Sequence, residues 1–176
     1  MAGLVRLERL ENLEAGTIIS IWRSYFEKKP FTTGFAVSSE KYSKWIGLRA
    51  RESPVFIIPL AIEKDFYNFV VHHQLLKEKA CLAISTLYDY QNYGEAAPLC
   101  VGVDCFSELV DRKNIALLRS KFDGSILSRA QSDTIIHTCI EMYCQDDAYQ
   151  WVQTFNNSPT NFDFDSFLSF FKAKFI

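Results

Sequence analysis

The chain is 176 residues long, 48% hydrophobic and 23% charged, with a formal net charge of −2. That length supports one domain with a real core. A slightly acidic chain lacks the cation surplus that grips nucleic acid or an anionic membrane, and no apolar run nears the roughly 18 residues of a membrane span. Neither nucleic-acid binding nor membrane insertion is expected. Phe is the main aromatic, with 15 copies, which points to a large core or to a sticky face. The five cysteines, an odd number, read as reduced buried thiols and not as a disulfide framework.

Leu4, Leu7, Leu10 and Leu13 have helical spacing, and residues 1–14 read as a loosely attached N-terminal helix on a single domain spanning residues 1–176. This stretch has no apolar h-region and is not a signal peptide. Arg6 and Arg9 would suit a mitochondrial presequence, but Glu8, Glu11 and Glu14 would not, so no clear transit peptide is read here. Beyond Gly16 a second helix is expected. Ile18, Ile21, Trp22, Tyr25 and Phe26 form its apolar stripe, and Arg23, Ser24 and Glu27 lie opposite. Pro30 ends it. Phe31–Val37 reads as a short strand, and Ser38 and Ser39 are natural N-caps for a helix over Glu40–Arg49.

The middle of the chain is sheet-like. Val55–Ile62 and Phe66–Gln74 flank the polar turn Glu63, Lys64 and Asp65, the pattern of a hairpin. Pro59 marks the first of these as an edge strand. Ala80–Thr86, Leu99–Phe106 and Ile115–Phe122 read as further strands, with Gln91–Pro98 as a loop and Asp123-Gly124 as punctuation. Helices follow over Ser125–Tyr143, Asp147–Phe155 and Asp163–Phe175. Tyr149, Val152 and Phe155 share one side of their helix. Asn156, Asn157, Ser158 and Pro159 break it, and Phe164, Phe167, Leu168, Phe171 and Phe175 line the last one. Strands grouped centrally between N- and C-terminal helices give an α+β class with a mostly antiparallel central sheet.

Signatures of chemistry are missing. Cys100 and Cys105 are five apart on an expected strand and should face opposite ways. Cys139 and Cys144 are five apart on an expected helix, where same-face ligands would be three or four apart, and His72 and His73 diverge on a strand. None has zinc spacing. There is no G-x-G-x-x-G, no G-K-[ST] loop and no G-x-S-x-G elbow. No catalytic residue, metal or cofactor is assigned, and weight moves to a binding protein with an apolar working surface.

Taken end to end, the chain resembles the mitochondrial ATP synthase assembly factors that bind the unassembled beta subunit. Ile18, Ile21, Trp22 and Tyr25 resemble that family's I-x-x-I-W-x-x-Y helix, and Pro54, Phe56, Pro59 and Leu60 its P-x-F-x-x-P-L strand. Glu95, Ala96 and Pro98 suit its next loop. Glu108 and Leu109, then Lys113, Ile115, Leu117, Leu118 and Asp123, resemble its E-L…K-x-I-x-L block. Tyr149, Val152, Phe155, Asn156, Pro159 and Phe162 match Y-x-x-V-x-x-F-N-x-x-P-x-x-F. Asn114 and Ala116 depart from the pattern, where the family tends to have Gly and Val.

The resemblance implies a holdase of the mitochondrial matrix, acting as a monomer. It would shield the apolar interface of the free beta subunit and leave when the alpha subunit binds, without ATP hydrolysis of its own. The contact residues it suggests are Trp22, Tyr25, Pro54, Phe56, Pro59, Phe155, Asn156 and Pro159. Each has a competing reading as packing: the first helix in the core, a buried strand with an edge proline, and a C-terminal clamp in which Asn156 caps the helix end. The alternative function is a non-catalytic structural adaptor that binds permanently within another complex.

Overall fold

A computed structural model describes residues 7–10, 12–62, 65–76 and 79–176. In chain order the elements are α1 (Leu7–Leu10), α2 (Ala15–Glu27), β1 (Thr32–Ser38), α3 (Ser39–Tyr42), a π-helical stretch (Ser43–Arg49) and α4 (Ala50–Glu52). Then come β2 (Val55–Ile62), β3 (Asp65–Leu76), β4 (Lys79–Thr86), α5 (Leu87–Tyr93) and β5 (Val101–Phe106). The chain finishes with α6 (Val110–Lys113), β6 (Ile115–Phe122), α7 (Arg129–Cys144), α8 (Asp146–Asn157) and α9 (Phe164–Phe175). This is α+β, with one six-stranded sheet ordered β1-β6-β5-β4-β3-β2 and every pairing antiparallel. The hairpin expected from Glu63, Lys64 and Asp65 joins β2 to β3, although 63–64 fall outside the described residues, as does Leu4 of the first leucine series.

The first two strands in sequence are the two edges of the sheet. The segment between them must therefore cross its whole width, and α3, the π stretch and α4 do so. Ser38 starts this crossing as expected, its hydroxyl accepting from the Lys41 N–H. Trp45, Ile46 and Ala50 are buried in the main core along the way. There they meet Phe56, Ile58, Val71, Leu82, Ile84, Val103 and Leu118 from the sheet, and Ile135, Ile136, Val152, Phe167 and Phe171 from α7, α8 and α9. The opposite face is covered at its β1–β6–β5 end by α2, through Ile18, Trp22 and Phe26 against Phe106, Ile115 and Leu117.

Several sequence expectations are corrected by packing. The stripe on α2 is narrower than five residues. Ile18, Trp22 and Phe26, spaced by four, are buried, while Ile21 and Tyr25 remain exposed. The expected loop after β4 contains α5, started by Thr86, whose hydroxyl accepts from the Asp89 N–H. β5 begins at Val101, so Cys100 precedes the strand and is buried in the same core as Cys105. Cys139 and Cys144 likewise share that core. α7 starts at Arg129, behind a capping box formed by Ser128 and Gln131. Asn114 adopts φ 55 at the end of α6, the left-handed region that Gly and then Asn enter most easily.

Gly34 sets how closely α2 lies on β1. A Cβ there would be 2.8 Å from Trp22 Cδ1 and 3.0 Å from the Trp22 carbonyl. The close approach lets the Trp22 indole donate to the Leu118 carbonyl at 2.7 Å.

The sheet-crossing segment is held by a buried polar chain. Trp45 Nε1 donates to His73 Nε2 at 2.9 Å, which makes that nitrogen the acceptor, so Nδ1 carries the proton and donates to the Pro54 carbonyl at 3.0 Å. The Tyr143 ring lies 4.5 Å from the imidazole, and its hydroxyl donates to the Ser53 carbonyl. Burial drives the His73 pKa down from 6.5 to about 4, against a smaller opposing effect of the Pro54 carbonyl.

At the same end of β2, one residue further on, Asn156 closes the sheet edge. Its Oδ1 accepts from the Val55 N–H at 3.2 Å, and its Nδ2 donates to the Val55 carbonyl and to the Val152 carbonyl. It does cap α8 locally, and it also pairs with both outward backbone groups of an edge residue. Phe56 beside it is enclosed by Phe155, Phe162 and Phe167 at centroid distances of 5.6, 6.2 and 5.2 Å.

Two stability predictions follow from these contacts. Above pH 6.5 His73 is neutral in both folded and unfolded chains. Below it the unfolded chain takes up a proton that the folded one refuses until about pH 4. Stability should therefore fall by about 3 kcal/mol between those values, and urea titrations of His73→Gln should show that decline flattened. Asn156→Ala should cost about 2 kcal/mol by leaving the Val55 groups unpaired. Asn156→Asp should lose nearly as much, because a carboxylate cannot donate to the two carbonyls; denaturation midpoints of both variants check this.

Candidate partner-binding surface

A side chain can touch a partner only where the fold leaves it in solvent, and the eight sequence candidates divide on that ground. Trp22 and Phe56 are 2% and 0% exposed, and Pro59 is buried as well. In this fold they hold α2, the aromatic junction and β2 in place. Pro54, Phe155 and Asn156 are half-buried, with Asn156 already bonded to Val55. Tyr25 is 41% exposed and Pro159 is exposed.

The candidates do not form one patch. Pro54, Phe155, Asn156 and Pro159 belong to the junction between β2 and the end of α8. Tyr25 lies on the solvent side of α2, with the Lys29 ammonium 4.1 Å above its ring and donating to its hydroxyl. Phe56, Phe155 and Phe162 pack together, so two motifs lying about a hundred residues apart in sequence are halves of one contact.

A surface that the sequence reading did not single out lies on the second face of the sheet, beyond the reach of α2. Cys81, Ala83, Gly102 and Asp104 form part of the lining of an open groove of about 540 Å³, together with Leu99, Glu95, Gln74 and Lys121. Leu99 is 53% exposed, and Tyr88 and Tyr93 of the neighbouring α5 are more exposed still. The small side chains alternate along β4 and β5 with the buried Leu82, Ile84, Val101 and Val103. That period of two was the available signal. Asp104 is the charged residue that projects from the strands into the groove beside Gly102. Burial raises its pKa, but hydrogen bonds from Lys79 and Arg119 outweigh this and keep it below the usual carboxylate range.

The titratable groups offer little for catalysis. Burial pushes the Cys144 thiol up to about 11, and Cys105 and Cys139 further, so these are not thiolates near neutral pH. Among the described residues no group of three His, Cys, Asp or Glu side chains could hold a metal ion, and no helix is long and apolar enough to cross a membrane.

A family model described as "ATP11 protein" matches residues 1–168. The human ATP synthase mitochondrial F1 complex assembly factor 1 is 28% identical over 171 residues, covering 96% of this chain and 50% of the human protein. The mouse protein of the same name is 27% identical over 96% of this chain and 51% of its own length. Protein atp11, mitochondrial, of Schizosaccharomyces pombe is 29% identical over 73% of this chain and 46% of its own length. The chain thus spans about half the length of the relatives it matches. With the motif helix α2, strand β2 and the α8 junction all inside a match that covers nearly its whole length, the chain belongs to the ATP11 protein family.

Proposed function

We propose that this chain is an assembly chaperone for the F1 sector of mitochondrial ATP synthase, working in the matrix as a monomer and holding the unassembled beta subunit until the alpha subunit displaces it. The observation that carries this reading is the family match over residues 1–168, with relatives named as F1 complex assembly factors. The surface chemistry supports it. Large apolar side chains, among them Ile21, Tyr25, Tyr88, Tyr93 and Leu99, stand in solvent on a fold whose core is otherwise closed, as expected of a protein that shields another's apolar interface.

Among the original candidates we assign partner contact to Tyr25, Pro54, Phe155, Asn156 and Pro159. Trp22, Phe56 and Pro59 serve as the support beneath them. Holding needs no bond-making. It needs affinity for the free subunit that is lost once the alpha subunit covers the same surface.

Co-expression with a free beta subunit tests this directly. The tagged chain should capture beta, and adding alpha should release it. Capture that persists after alpha is added would favour a permanent structural adaptor, and a well-folded chain that captures no beta would overturn the chaperone reading. In the same assay Tyr25→Phe, which keeps the ring against Phe26 and removes only the exposed hydroxyl, should weaken capture with little change in melting temperature.

A further inference from the structure

The two edges of the sheet are treated differently. In β2 the outward backbone groups belong to Val55, Ile57, Pro59 and Ala61, because the intervening residues pair with β3, as the His73 N–H bond to the Pro54 carbonyl shows. Asn156 occupies both groups of Val55, and Pro59 has no donor to offer. That edge is blunted. In β1 the Phe122 N–H bonds to the Phe31 carbonyl and the Ser39 N–H to the Asn114 carbonyl. The register then directs Thr33, Phe35 and Val37 at β6 and turns Thr32, Gly34, Ala36 and Ser38 outward. Arg129 takes the Thr32 carbonyl. At Gly34, Ala36 and the Ser38 N–H no side chain among the described residues pairs with the outward groups, whereas the Ser38 carbonyl starts α3.

The Gly34 end of this open stretch lies in a built groove of about 400 Å³. Arg23 and Glu27 of α2 form one wall, Thr33, Gly34 and Phe35 the floor, and Arg129, Asp133 and His137 of α7 the other wall. The α7 residues recur every fourth position and so share one face. Arg129 closes one end through bonds to Lys29, Thr32 and Thr33. Asp133 has one carboxylate oxygen that is buried without a hydrogen-bond partner, a costly arrangement unless something supplies a donor. Burial holds its carboxyl above the usual range, against smaller effects of Thr33, Arg129 and His137.

We propose that the β1 edge from Gly34 to Ser38 is a strand acceptor, at which one extended segment of the client adds to the sheet and presents a basic side chain to Asp133. Strand addition supplies backbone hydrogen bonds to the open edge, and the lysine or arginine supplies the missing donor to the Asp133 oxygen. A second copy of this chain does not fit. Its own β1 lies between its own α2 and α7, so two recessed edges cannot meet, whereas a single extended segment enters between the helices. The identity of the client rests on the chaperone reading above.

Residue-resolved amide hydrogen exchange on the chain alone and with the free beta subunit bound decides the matter. The Gly34 and Ala36 N–H groups should gain at least about tenfold protection on binding, while Phe35 and Val37, already bonded to β6, should change little. Bound beta with Gly34 and Ala36 unchanged overturns the strand acceptor and leaves the chaperone reading intact. Absence of binding overturns both. Ala36→Pro removes one outward donor and none of the β6 ladder, and should weaken capture about tenfold. Asp133→Lys should do the same by repelling the basic side chain. If Ala36→Pro fails to fold, the exchange measurement on the unaltered chain still decides.

Discussion

Everything in the main core depends on carrying the chain from one edge of the sheet to the other between β1 and β2. The crossing runs over the face of the sheet, where backbone and indole polar groups must find partners away from water. His73 is the fixed point. It reaches up to Trp45 in the π-helical stretch and across to the Pro54 carbonyl just before β2, and Tyr143 of α7 stacks on it while bonding Ser53. One neutral imidazole thus sets the height of the crossing, the start of the edge strand and the seat of α7. A phenylalanine of similar size would fill the space but leave the Trp45 indole N–H unsatisfied, while the Pro54 carbonyl would keep only its bond from the backbone N–H of residue 73.

The second junction, beside the first at the start of β2, joins the motifs that make the chain recognisable. Pro54, Phe56 and Pro59 in one place and Phe155, Asn156 and Phe162 in another look unrelated in sequence. In the fold Phe56 is enclosed by the C-terminal aromatics, and Asn156 supplies the bonds that a neighbouring strand would otherwise give Val55. A family signature that seems to describe a binding face is therefore in large part a signature of how the sheet edge is sealed. Side chains at its margin, such as the exposed Pro159, keep the freedom to meet a partner.

Much of the fold could be read directly. β2 and β6 occupy the spans expected of them, because apolar-rich stretches bounded by turn signals have few alternatives. The helices behind Ser38 and Asp163 start where expected, whereas α7 starts at Arg129, four residues after the expected Ser125. Three things were hidden. The strand order depends on contacts far apart in sequence, so nothing local says that β1 and β2 are opposite edges. The short α5 has no apolar periodicity of its own, and Thr86 starts it only once β4 has ended there. Exposure was hidden as well: Ile21 and Trp22 are neighbours with similar hydrophobicity, and only the closeness of Gly34 decides which of them enters the core. The same gap left the sequence candidates for partner contact unranked.

The pairing of β1 with β6 has a consequence for how the molecule is made. Phe35 lies opposite Leu118, whereas β2 through β6 join mostly neighbours in sequence. The meander can form as soon as each hairpin is complete, but α2 and β1 have no place on the sheet until β6 exists, and closing that long loop carries the largest entropic cost of any strand pairing. The N-terminal helix and strand are then the last part to dock. By the same reasoning they are the first to detach, which places the narrow cluster of Trp22, Phe26 and Leu117 among the least cooperative parts of the molecule.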